Sequence, residues 1–301
     1  MVQTLSIFID VVIPVFAIAV MGYLLKPKLN LDAGTFSRAI YYVFLPALIF
    51  NVISQAEVQL DQAMRMVTFI LLVCIGCAVL GFGLARLLRR PMAVCAAYAL
   101  IAVYGNVGNF GLSINLFRWG DAALVPATIY LVIVNAAGLI IGVALASLVR
   151  GRRLSAMLSV VKTPALIILL PAFAFQLTHY QIPLFASRII DMLGDAAIPL
   201  LLFTLGIQLA GVKKPRIDRD VLLATGVRLI GGPVLALLFI APFHLSGLDY
   251  KTGIMQASMP AAVLTSIIAM ENDLEPDFVT TTVFFSTLVS VVTLTAILTF
   301  L

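Results

Sequence analysis

Ten stretches of about 20 apolar residues, separated by short polar breaks, take up almost all of this 301-residue chain. They run near 5 to 25, 36 to 55, 64 to 87, 92 to 117, 122 to 149, 160 to 178, 185 to 211, 220 to 243, 252 to 270 and 278 to 300. A bilayer core of about 30 Å takes roughly 20 residues of helix at 1.5 Å per residue, so each stretch is long enough to cross. Composition agrees: 62% of residues are hydrophobic and 11% charged, far from the soluble norm of about half and a quarter. The expected fold is an all-α integral membrane protein of ten transmembrane helices in a lipid bilayer. The opening MVQTLSIFIDVVIPVF has no basic leader and no small-residue cleavage site, so it reads as a first span.

Charge orients the spans. Thirteen basic residues (Lys26, Lys28, Arg86, Arg89, Arg90, Arg150, Arg152, Arg153, Lys162, Lys213, Lys214, Arg216 and Arg219) fall on one set of alternate loops, and Arg65, Arg118 and Lys251 on the other. The positive-inside rule puts the first set in the cytoplasm and both termini outside. Because the basic residues sit in these gaps, the net charge of +5 is an orientation signal and excludes a nucleic-acid partner. The acidic loop of Glu271, Asp273, Glu275 and Asp277 weighs little in topology. Cys74, Cys77 and Cys95 lie in apolar runs without metal-ligating partners and read as packing residues. His179 and His244 fall in predicted outer loops.

Sliding the chain along itself by 153 residues lays Leu45-Pro46-Ala47-Leu48-Ile49-Phe50 over Ile198-Pro199-Leu200-Leu201-Leu202-Phe203, and Gln55 over Gln208. The same shift lays Gly105-Asn106-Val107-Gly108-Asn109-Phe110-Gly111 of span 4 over Ser258-Met259-Pro260-Ala261-Ala262-Val263-Leu264 of span 9. The chain therefore reads as two five-helix repeats, 1–152 and 153–301. A repeat with an odd number of spans inserts its second copy upside down, the inverted plan of many secondary transporters.

Helix-breaking residues survive at mid-membrane depth only where neighbours or a water-filled cavity satisfy the freed backbone groups. The glycines and asparagines of 105–111 each weaken a helix by several tenths to about 1 kcal/mol relative to Ala, and Pro260 by about 3 kcal/mol. Such cost, once per repeat, predicts broken helices 4 and 9 around a cavity; the alternative is close packing through small residues. Broken helices present N-termini that attract an anion and carbonyls that attract a cation. Asn106, Gly108, Asn109, Gly111, Pro260 and Ala261 are the candidates. Asn51 and Thr204 coincide in the repeat and either face one site or make interhelical hydrogen bonds, and Gln55 and Gln208 share that ambiguity.

Arg228 lies about 10 Å into span 8 by helical rise, where a charge costs about 2.5–3.5 kcal/mol. It steadies an anion or a gate, pairs with Asp10, Asp191 or Asp195, or snorkels to the surface. Those three aspartates, in the outer parts of spans 1 and 7, are candidates for binding a coupling proton or Na+, or are interfacial.

Leu193-Gly194-Asp195-Ala196-Ala197-Ile198-Pro199 with Leu205-Gly206, Arg228-Leu229-Ile230-Gly231-Gly232-Pro233, Gln256-Ala257-Ser258-Met259-Pro260, and Asn106 with Gly111 together resemble the auxin efflux carrier family, over nearly the whole chain. That family spans plant PIN-type carriers and bacterial members linked to malonate transport. The resemblance implies a scaffold and a mobile transport domain, each drawing helices from both repeats, and a crossover where spans 4 and 9 meet. It also implies elevator-type motion, a homodimer, and a carboxylate held around Asn106, Gly108, Gly111 and Pro260. The chain departs from the family pattern at Gly105 and Ser113, where many members have proline. It also lacks the long cytoplasmic loop of the plant carriers, so a small organic anion carried across a bacterial cytoplasmic (inner) membrane fits better than auxin.

The leading expectation is thus a secondary transporter of a small carboxylate, with no cofactor beyond a coupling proton or Na+. A sodium-coupled bile-acid-type symporter shares the inverted plan but carries carboxylate-rich sodium sites, whereas this crossover is neutral. A non-transporting receptor would have no use for two matched broken helices. An enzyme would need paired Asp, His-x-x-x-His or Ser with Lys or His at depth, and the sequence has no such set.

Overall fold

The computed structural model describes residues 2–57, 59–150, 162–178, 182–212 and 215–301. Arg152, Arg153, His179, Lys213, Lys214 and the boundary between the repeats lie outside the described residues. Among the described residues, seven helices are long and apolar enough to cross a membrane: α1 (Thr4–Leu29), α2 (Ala33–Ser54), α3 (Leu60–Leu87), α6 (Asp121–Val149), α8 (Leu184–Leu209), α9 (Arg219–Phe243) and α12 (Pro276–Phe300). Two shorter apolar helices, α4 (Met92–Val103) and α7 (Pro164–Thr178), and a third, α11 (Val263–Asn272), complete the apolar set. Span 4 is broken: α4 stops, and the chain resumes as a π-wound turn, Val107–Leu112, that runs into α5 (Ser113–Trp119). Span 9 is broken likewise, into α10 (Gly247–Ala257) and α11.

Local chemistry sets the ends. Asp32 caps α2 by accepting the Thr35 N–H at 2.8 Å, and Asp218 caps α9 by accepting that of Val221 at 2.9 Å. The hydrogen bonds from Thr35 and Gly34 hold the Asp32 carboxyl below the usual carboxylate range. Asn30 and Asp273 end α1 and α11 in the left-handed conformation that short polar side chains tolerate. Pro164, Pro183 and Pro276 stand at or just before the starts of α7, α8 and α12, where a missing N–H costs nothing. Each element of the second half begins within two helical turns of the point 153 residues past its counterpart.

The helices sort into two groups. In one, α1 packs on α8, and α2 on α7 and α8; in the other, α3, α4, α6, α9, α10, α11 and α12 pack on one another. Lipid removes most of the hydrophobic drive between helices, so contact depends on shape. Gly22 and Gly206 let the α1 and α8 backbones touch: a Cβ on Gly206 would overlap the Ala19 carbonyl oxygen and lie 2.7 Å from Tyr23 N. In the second group Arg90 pairs with Asp220 at 3.0 Å, and Tyr98 donates its hydroxyl to the same carboxylate at 2.9 Å, tying α4 to the start of α9. Hydroxyls buried on α12 bond carbonyls of their own helix, as from Thr287 to Val283 at 2.8 Å, which satisfies them without a partner helix. The seam between the groups runs where α8 meets the Val107–Leu112 turn, where α12 meets α1, and where Phe16 stacks on Phe110 at 5.0 Å.

Candidate anion site at the helix crossover

The two breaks meet. Gly105 and Ala261 form an antiparallel bridge, flanked by the Asn106 N–H donating to the Pro260 carbonyl at 2.7 Å and the Ala262 N–H donating to that of Tyr104 at 2.9 Å. The backbone freed by each break is thus partly satisfied by the other, as hydrocarbon surroundings require. Ser286 accepts the Ala261 N–H at 3.2 Å. The bridge pairs Gly105 with Ala261, three residues beyond the Ser258 that the sequence shift pairs with it.

The glycines have separate tasks. A Cβ on Gly105 would lie 3.0 Å from Arg228 Cζ, and one on Gly111 2.8 Å from Gln256 Cδ, so both make room for a buried side chain. Gly108 meets only Leu131, at 3.4 Å, and keeps the cavity wall low. Tyr104 leans on Gly138, where a Cβ would overlap its ring, and donates to the Asn135 carbonyl at 3.3 Å.

A cavity of about 550 Å³ reaches the crossover. Its floor includes Asn106, Val107, Gly108 and Asn109 from one break and Ala262, Val263 and Leu264 from the other. These are the first residues of two half-helices, so two positive helix ends face one space. Among the described residues the N–H groups of Val107, Gly108, Val263 and Leu264 have no hydrogen-bond partner. Asn106 is 4% exposed; its Oδ1 accepts the Asn109 N–H at 3.3 Å, and its Nδ2 is buried without a partner. Unpaired donors and helix N-termini make an anion-binding surface.

Sequence-expected residues divide between this cavity and other places. Thr204 and Gln208 line it with Asn106, Gly108 and Asn109. Gly111, Pro260 and Ala261 shape the crossing itself, outside the lining. Asn51 accepts a hydrogen bond from Gln55 at the far end of α2, so it does not share the site with Thr204. Asp10 accepts from Ser6 at 2.7 Å, and Asp191 from Ser187 at 3.1 Å. Asp195, with Asp121, lines a separate pocket of about 280 Å³ on the seam. His244 is exposed, as expected.

Arg228 corrects its sequence reading. It is 3% exposed, so it does not snorkel, and among the described residues it pairs with no carboxylate, Asp10, Asp191 and Asp195 included. It donates to the carbonyls of Met259 at 2.7 Å, Ala257 at 2.8 Å, Ala102 at 2.5 Å and Val103 at 3.4 Å. These are the C-terminal ends of α4 and α10, and none of the four residues lines the cavity.

The profile of the membrane transport protein family matches residues 7–153 and 148–298. The chain belongs to that family, which includes the auxin efflux carriers. It is 28% identical over 292 residues to a Methanothermobacter thermautotrophicus protein named only as a transporter, covering 95% of each chain. It is 26% identical over 303 residues to a Rhizobium meliloti protein provisionally named a malonate transporter, covering 95% of this chain and 93% of that one. Against auxin efflux carrier component 1 of Arabidopsis thaliana it is 28% identical over 116 residues, 37% of this chain and 18% of the plant protein. This family member is therefore a multi-pass membrane transporter.

Sequence reasoning missed Ser37, Arg38, Tyr41, Tyr42, Asn135 and Glu271, all of which line the cavity. Ser37 accepts from Gln208 at 3.1 Å. Arg38 is exposed and makes no ion pair among the described residues. Its signal was present: a basic residue three places before a tyrosine pair, inside an apolar run, is a costly choice for plain lipid contact.

Proposed function

We propose that this family member is a secondary transporter that carries a small organic anion, a carboxylate, across the cytoplasmic membrane. The observation that carries the proposal is the convergence of two half-helix N-termini on one cavity, with the Asn106 amide and four backbone N–H groups unpaired there. A carboxylate fits because it accepts several hydrogen bonds and its charge is favoured at helix N-termini. The name of the Rhizobium relative makes malonate the first probe.

The rest of the reading follows from the two helix groups. The elements recur at an interval of 153 residues with five spans per half, which supports an inverted ten-span plan. The α1, α2, α7 and α8 group acts as the scaffold. The other group, holding the crossover, moves against it as an elevator. The cavity's outer ring, Ser37, Arg38, Gln208 and Glu271, adjoins the loops rich in Lys and Arg, so by the positive-inside rule this conformation faces inward. The Asp121 and Asp195 pocket on the seam lies along the opposite path.

Uptake of labelled malonate and a panel of small carboxylates into proteoliposomes tests this. Saturable uptake that Asn106→Ala weakens about tenfold, the effect of one lost hydrogen bond of about 1.4 kcal/mol, is expected. Absence of uptake for every carboxylate, in either direction and with either a pH or a sodium gradient, ends the proposal.

A further inference from the structure

The negative helix ends at the crossover converge on one buried cation. Carbonyls from the last turn of α4, Ala102 and Val103, and from the end of α10, Ala257 and Met259, surround the Arg228 guanidinium at 2.5–3.4 Å. In carriers with broken helices, such carbonyl ends are where a coupling cation is held. We infer that this cage is a cation site which the chain fills with its own Arg228, a tethered cation standing where a free coupling ion would bind.

Three observations carry the inference. Among the described residues no carboxylate neutralises Arg228, so its charge is balanced by two helix C-terminal ends, each equivalent to about half a negative charge. The surroundings are cut to the shape of a guanidinium: a Cβ on Gly105 would lie 3.0 Å from Cζ, and one on Gly232 would lie 3.8 Å from Cζ and 2.6 Å from the Ala257 carbonyl oxygen. Finally, Arg228 leaves α9 within a π-wound turn, Val227–Gly231, a local widening of the kind that aims functional side chains. Arginine keeps its charge at any physiological pH and its planar fork matches several carbonyls at once.

The crossover is then electrostatically complete before a solute arrives. Its C-terminal ends are neutralised, its N-terminal ends face the cavity, and no sodium ion has to bind at the carbonyls to assemble the site. That last consequence rests on the anion-site reading; the cage does not.

The test uses the purified full chain in detergent, with Arg228→Ala, Arg228→Met and Arg228→Lys, melted in NaCl and in choline chloride of equal ionic strength. The wild type is expected to melt alike in both salts. Arg228→Met falls by on the order of 5 °C or more, because buried carbonyls lose a charged donor. Arg228→Lys recovers most of that loss. Low-millimolar guanidinium chloride raises the melting temperature of Arg228→Ala above that in equal choline chloride, while leaving the wild type unchanged. Equal melting of Arg228→Met and wild type, failure of guanidinium to rescue Arg228→Ala, or stabilisation of the wild type by sodium over choline overturns the inference. Should Ala and Met both fail to fold, a folded Arg228→Lys sustains it and an unfolded one overturns it. These readouts are melting temperatures, so they stand apart from whether malonate is transported.

Discussion

One methyl group at Gly105 probes how tightly the crossover is built. In Gly105→Ala the new Cβ would lie 3.0 Å from Arg228 Cζ and overlap its Nη2. The guanidinium cannot slide freely, because Met259 and Ala257 hold it at 2.7 and 2.8 Å on one side and Ala102 at 2.5 Å on another. Giving up one or two hydrogen bonds from a charged donor costs about 1.5–3 kcal/mol each, against a gain of about 0.4–1 kcal/mol from a stiffer unfolded chain. The net loss is about 1–5 kcal/mol, or on the order of 3–10 °C in melting temperature. A thermal-shift measurement in detergent checks this, with Gly226→Ala as control, since a Cβ there meets nothing within 4 Å. Gly105→Ala melting at or above that control would refute the packing argument.

Ser286→Ala removes the acceptor of the Ala261 N–H and is expected to lower stability by about 1–3 kcal/mol, while Thr282→Val, whose hydroxyl bonds only its own helix at 2.9 Å, changes it little; melting curves compare the two. Gly206→Ala should push α1 from α8, and the check is the yield of monodisperse protein by size exclusion, which drops sharply if the backbones do touch. Arg38→Gln is expected to raise the apparent KM for malonate about threefold to tenfold at low ionic strength, with the difference shrinking as salt screens the exposed charge. An unchanged KM at both salt levels would remove Arg38 from the anion's path.

The seven long spans were legible because hydropathy is a property of residue type, and their observed limits fall within a few residues of the expected ones. The breaks were legible because Gly105, Gly108, Gly111 and Pro260 carry a cost that only a specific backbone repays. What the letters did not hold was register and direction. Apolar side chains align almost equally well at neighbouring offsets, so the Gly105–Ala261 pairing differs by three residues from the shift that matched the prolines. The depth of Arg228 was evident, but its partners were main-chain carbonyls, which every residue possesses and no sequence pattern marks. Asn51 and Thr204 coincide under the 153-residue shift, yet only Thr204 lines the cavity. Arg38 and Glu271 were absorbed into a span and a loop because both stand at helix ends, where lipid and water readings meet.

The central claim is that the crossover binds an anion at two converging helix N-termini. Titration calorimetry on the purified protein, with small carboxylates set against amines of matched size, tests it most directly. The expected result is carboxylate binding that Asn106→Ala weakens about tenfold or more, with no heat from the amines. Amine binding, or carboxylate affinity untouched by Asn106→Ala, would contradict it.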